Sequence, residues 1–249
     1  MAALRGVTPA AGLEEQAHEF AEDLSRVASS FVGHPVLFHA TTLGSKVSVK
    51  PEDAIPVRVG DRELLCLEVW YRCVFDHANR YLLVDESAIK VYGGKAMRGD
   101  PLFRYEYDRS SANDLPSAHL HVHAHRDHFV LAMALGGESG ARRRQSLQSA
   151  GSLDSVKMAD LHFPLGGHRF RPGFEDVLQM LHTEFGAVAG PTWLRVLKTT
   201  REAYRRSQTA SVVRDCPSEA VRVLREMGYD VREPGSGPAV DRTDRLHAF

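Results

Sequence analysis

Between Leu13 and Phe31, apolar side chains fall at Leu13, Ala17, Phe20, Leu24, Val27 and Phe31, with acidic residues between them. That spacing repeats every three to four positions and predicts an amphipathic helix with one buried stripe. Gly33 and Pro35 supply its stop. The pattern then changes to short runs with strand character: Val36 to Phe38, Lys46 to Val49, Ile55 to Val59, Glu63 to Phe75, Tyr81 to Val84, Ala88 to Tyr92, Leu102 to Tyr107 and Ala118 to His125. Turn residues separate them at Gly60-Asp61, at 76–80, at Gly93-Gly94 and in the polar segment 109–117. These connections are too short for helical crossovers, so a largely antiparallel sheet is expected. Phe129 to Leu135 fits a strand or a helical turn equally well.

Helical spacing returns after a turn-rich stretch. Phe174, Val177, Leu178, Leu181 and Phe185 mark one helix, and Trp193, Val196, Leu197 and Tyr204 mark a second that runs to about Arg214. Pro217 suits the first turn of a third helix, which carries Val221, Leu224 and Met227 and ends at Gly228. The expected fold is α+β: a largely antiparallel sheet with an N-terminal helix and a C-terminal helical layer, as one domain over 1–232. Residues 136–155, with Gly, Ser, Gln and Arg142 to Arg144, read as a flexible insertion, and 233–249 as a disordered tail.

Composition narrows the functional classes. The 249 residues are 43% apolar and 25% charged, with a formal net charge of −1, so no global basic field of the kind duplex-DNA binders carry is present. Three cysteines without a C-x-x-C spacing fit reduced thiols rather than a disulfide framework or zinc knuckle. No signal peptide is apparent and no apolar run approaches ~18 residues, which predicts a cytoplasmic chain without a membrane partner.

The chemistry-bearing segment is HLHVHAHRDH, residues 119–128, with five of the chain's thirteen histidines. In an extended strand His119, His121, His123 and His125 share one face, opposite Leu120, Val122 and Ala124. A single such histidine is ordinarily a solvated strand residue. Four in alternation are harder to explain that way, because histidine is not a favoured strand filler. Three chemistries could use the row. Imidazoles could act as general acid and base on a phosphodiester while Arg104 holds its oxygens, a scheme that suits RNA because the 2′-hydroxyl is its own nucleophile. A histidine could act as a covalent nucleophile. Residues two apart could also chelate a metal, but no carboxylate or thiolate stands at a fixed spacing, Asp127 being the nearest, so no metal or other cofactor is assigned.

Pairing Leu102 to Tyr107 with the histidine strand would set either the arginine row or the tyrosine row beside the imidazoles, depending on register. Arg104 could clamp a phosphate, and Tyr105 could stack on a base. A second candidate is FPLGGHRFRP, where His168, Arg169 and Arg171 precede a helix start and could bind phosphate. The alternative is a tight Gly166-Gly167 turn with arginines paired to Glu175 or Asp176. The basic helix face with Arg195, Lys198, Arg201, Arg205 and Arg206 could track phosphates or be merely solvated.

Two resemblances bear on these residues. The H-x-H-x-H spacing resembles the signature of the histidine-triad nucleotide hydrolases and transferases, which implies nucleotidyl chemistry at His121 or His123. The run Phe103-Arg104-Tyr105-Glu106, the polar turn, the histidine strand and the Phe174-Glu175-Asp176-Val177-Leu178 helix resemble the TumE-type toxins of bacterial toxin–antitoxin pairs over about 60–185. That resemblance implies a toxin acting on RNA, with a cognate antitoxin as partner. The leading expectation is a toxin-like, metal-independent endoribonuclease or related phosphodiester-cleaving enzyme, with His119, His121, His123 and Arg104 catalytic. The alternatives are a non-catalytic interaction or regulatory module with a pH- or ligand-responsive histidine face, and a nucleotide hydrolase or transferase of histidine-triad type.

Overall fold

The computed structural model describes residues 12–75, 81–109, 117–122 and 171–246. The flexible insertion predicted at 136–155 lies outside them, as do Phe129 to Leu135. Seven strands form one antiparallel sheet: β1 (Phe38–Leu43), β2 (Lys46–Pro51), β3 (Ile55–Val59), β4 (Arg62–Phe75), β5 (Leu82–Gly93), β6 (Phe103–Asp108) and β7 (Ala118–Val122). The order is β1-β2-β4-β5-β6-β7, and β3 also pairs with β4. The fourteen-residue β4 is long enough for both: Val47 to Val49 of β2 lie beside Tyr71 to Cys73, while β3 lies beside Arg62 to Leu67. Helices α1 (Leu13–Val32), α2 (Phe174–Phe185), α3 (Trp193–Asp215), α4 (Pro217–Glu226) and α5 (Thr243–Leu246) complete the described α+β architecture.

The helices bury one face of the sheet. Helix α1 contributes Ala17, Phe20, Ala21, Leu24, Val27, Ala28 and Phe31, the stripe its periodicity predicts. Full burial of each larger aliphatic or aromatic side chain contributes about 1.5–3 kcal/mol. Phe20 meets Tyr71 edge-on at 5.0 Å, Phe31 meets Trp193 at 5.6 Å, and Phe38 meets Phe174 at 6.1 Å, tying the sheet to helices from both ends of the chain. The helix ends at Gly33, whose φ of 80° closes the last turn. One polar group in this layer, the Gln16 side chain, is satisfied by accepting the Leu82 backbone N–H at 2.8 Å.

Strand β5 carries a bulge. Arg72 pairs with Glu86 and Cys73 with Val84, so Asp85 has no opposite residue. Core-facing positions therefore switch from Leu82 and Val84 to Ile89 and Val91. The switch keeps both ends of β5 apolar towards the helices and turns Glu86, Ala88 and Lys90 to the other face. After α2, Gly186 makes a left-handed cap (φ 69°), and Ala187 bridges to Val59. The Gly190 N–H then reaches the Phe31 carbonyl at 2.9 Å, docking the α2–α3 connection on the end of α1.

Helix α4 has no buried residue; Leu224 within it and Met227 at its C-terminal end are exposed. Residues 233–246, expected as a disordered tail, are loop up to the short α5, and the Arg242 N–H donates to the Asp215 carbonyl at 2.8 Å. No helix among the described residues is long and apolar enough to cross a membrane.

Candidate functional site

Strands β6 and β7 fix which row stands beside the histidines. Arg104 pairs with His121 and Glu106 with His119, while Tyr105 pairs with Leu120 and Phe103 with Val122. Directly paired residues share a face, so Arg104, Glu106, His119 and His121 project together from the sheet face opposite the helices. The apolar partners point inward. Phe103 is fully buried and stacks on Phe185 at 6.3 Å, and Leu120 and Val122 pack against the same core. Core packing beneath β6 and β7 thus holds the polar row above it in register.

Three cationic or imidazole groups converge on one carboxylate oxygen. From Oε2 of Glu106 it is 3.3 Å to Arg104 Nε, 3.3 Å to His119 Nε2 and 3.4 Å to His121 Nε2. The two imidazole rings stand nearly perpendicular, with centroids 4.8 Å apart. The cluster is partly open: His121 is 44% exposed and His119 21%. Arg104 Nε is buried and forms no hydrogen bond of good geometry among the described residues, despite its closeness to Glu106.

Neighbouring strands extend this face as a row of paired charges. Lys90, opposite Arg104, holds Glu68 at 3.1 Å, and the Tyr92 hydroxyl donates to the same carboxylate at 2.8 Å. Burial and then the Glu68 bond push the Tyr92 phenol up to about 12. Arg72 binds both oxygens of Glu86 at 2.7 Å. Ala88, between Trp70 and Glu106, places a small side chain at the middle of the row.

The tyrosine row lies on the helix side. Tyr105 is 7% exposed, and its buried hydroxyl finds no hydrogen-bond partner among the described residues. Burial first, and the charge of Asp176 second, push its phenol well above the ordinary range. Arg171 also sits on this side, with its guanidinium carbon 3.8 Å from the centre of the Tyr107 ring. Ser87, Ile89, Tyr105, Glu106, Tyr107, Ala118, His119, Arg171 and Pro172 line a pocket of about 220 Å³. By strand alternation the Glu106 and His119 side chains project from the opposite sheet face to Tyr105 and Tyr107, so these strands join the pocket to the histidine cluster.

Of the sequence-predicted site residues, Arg104, His119 and His121 come together. Tyr105 and Arg171 face the opposite side of the same strands. His123, His168 and Arg169 lie outside the described residues. Sequence reasoning missed Glu106 as a member of the site. Its signal was the two-residue step from Arg104 along a strand, which places both on one face. On the basic helix face, Arg201 is engaged with Asp176 at 3.0 Å and Arg206 with Glu202 at 2.7 Å. A scan against protein-family models, a search of curated proteins and a search of solved structures each return no match for this chain.

Proposed function

We propose that this protein is a phosphodiester-cleaving enzyme of the endoribonuclease type, working at the Arg104–Glu106–His119–His121 face. The observation that carries the reading is the convergence of Arg104, His119 and His121 within 3.4 Å of one Glu106 oxygen on the sheet face opposite the helices, with His121 44% exposed. Phosphodiester transfer within RNA needs one group to accept the 2′-hydroxyl proton and another to protonate the departing 5′-oxygen. Two adjacent imidazoles can divide those tasks. The 2′-oxygen bonds to phosphorus as the bond to the 5′-oxygen breaks, leaving a 2′,3′-cyclic phosphate and a 5′-hydroxyl. Arg104 steadies the non-bridging oxygens, and Glu106 orients both rings.

The charge balance of the face fits small, local contact with a nucleic acid. Arg72, Lys90 and Arg104 are matched by Glu86, Glu68 and Glu106, so the imidazoles supply any surplus positive charge when protonated. The strands that carry the TumE-type resemblance are the two that build this cluster, which supports a toxin-like role with a cognate antitoxin as partner. The test is a single-stranded RNA oligonucleotide incubated with the full chain in EDTA, beside its all-2′-deoxy counterpart. The reading expects cleavage of the RNA alone, with cyclic phosphate ends. Equal cleavage of both strands, or of neither, overturns it.

A further inference from the structure

We infer that Glu106, His119 and His121 form a binding site for a divalent transition-metal ion of the zinc type. The three residues each offer a ligand atom, and these atoms lie within 4.8 Å of one another. The separations carry the inference. An imidazole donating to a carboxylate in a charge-assisted bond approaches to about 2.7–2.9 Å. Here both Nε2 atoms stand back at 3.3 and 3.4 Å from the same oxygen. Ligands about 2.0–2.1 Å from a tetrahedral ion are separated by about 3.3–3.4 Å. The two imidazole–carboxylate spacings match two edges of such a site, and the imidazole pair, whose donor atoms lie within 4.8 Å, closes to the third edge by rotation of the rings.

Donor chemistry and placement agree with the spacing. Two imidazoles and one carboxylate suit borderline ions such as zinc and supply three of its four ligand positions. The ligands come from paired positions on β6 and β7, whose undersides are locked by Phe103, Leu120 and Val122, so little ordering remains to oppose binding. The 44% exposure of His121 gives the ion a route in. Among the described residues, Arg104 is the cationic side chain in contact with the carboxylate. A carboxylate has two oxygens, and a turn about its last bond gives one to the ion and one to Arg104, the outer contact that ligating carboxylates commonly make.

The inference stands on these three donors and does not need the cleavage reading. Where both hold, the ion occupies the imidazole lone pairs that proton transfer requires, so zinc inhibits cleavage. The test uses the full chain stripped with chelator and titrated with Co²⁺, a zinc substitute whose visible absorption intensifies in tetrahedral surroundings, with no RNA present. We expect saturation at one equivalent. Glu106→Gln and His119→Ala, each checked for native circular dichroism, should weaken binding by more than about 100-fold, beyond the ~10–100-fold that loss of an outer contact costs. Glu68→Gln, on the same face but outside the cluster, should bind as the parent does. Absence of binding by the parent chain, or undiminished binding by folded Glu106→Gln and His119→Ala, overturns the inference.

Discussion

Tyr105→Phe should make this protein more stable, although it removes a polar group from a strand next to the candidate site. The Tyr105 hydroxyl is buried and finds no hydrogen-bond partner among the described residues, and the side chain is only 7% exposed. A buried hydroxyl without a partner forfeits about 1–3 kcal/mol of hydration. Removing the oxygen recovers most of that and leaves a small gap, so the net gain should be about 1 kcal/mol. For a chain of this size that corresponds to a rise in Tm of about 2–4 °C. The high-pH limb gives a second reading of the same site. Burial and Asp176 raise the folded-state pKa above the unfolded value of about 10, so the neutral phenol's contribution is complete below pH 10 and is lost as pH rises beyond it. Tyr105→Phe lacks that loss, and its advantage should widen above pH 10. Urea melts of both proteins at pH 7 and pH 10.5 measure the two effects. Destabilisation by 1 kcal/mol or more at pH 7 would show that the hydroxyl has a partner and refute the reasoning.

Tyr92→Phe should have the opposite sign, because that hydroxyl is bonded to Glu68. A loss of about 1 kcal/mol in urea melts at pH 7 is expected. The wild-type share is present below pH 10 and fades as pH rises towards about 12; an unchanged midpoint would contradict this. In Gly190→Ala the added Cβ would stand 2.5 Å from the Ser30 carbonyl oxygen at the end of α1, for a cost of about 1–3 kcal/mol at an unchanged urea m-value. A variant as stable as the parent would disprove that close approach. Cys66 and Cys73 are fully buried, and burial followed by the Asp85 charge pushes the Cys73 thiol up to about 12. With an aromatic disulfide reagent at pH 8, half-buried Cys216 should react first and the other two only on unfolding. Equal rates for all three in the native protein would refute it.

The helices and the face of each strand were legible because they depend on local spacing. Leu13 to Phe31 reads as a helix from its own apolar period, and Phe103 and Tyr105 separate from Arg104 and Glu106 by simple alternation. What alternation does not contain is which strands become neighbours and in what register. The pairing of Glu106 with His119 is a tertiary fact, set by packing of Phe103, Leu120 and Val122 under the strands. For that reason the sequence points to Asp127, within the histidine segment, and not to the carboxylate that stands across the sheet. The Asp85 bulge was equally hidden, since Leu82 to Tyr92 gives one strand pattern before the break and another after it. Tyr105 shows the converse. Alternation sets its side opposite Arg104, and the register then places it in the core, across the strand from the imidazoles.

The most direct test of the candidate site compares RNA cleavage by the full chain with that of His119→Ala and His121→Ala, in EDTA and with native circular dichroism for all three. Cleavage by the parent chain that falls at least about 100-fold in each variant is the predicted result, in line with the ~10²–10⁴-fold contribution of a positioned general acid or base. Intact RNA with the parent chain, or cleavage unchanged in both variants, would contradict the account.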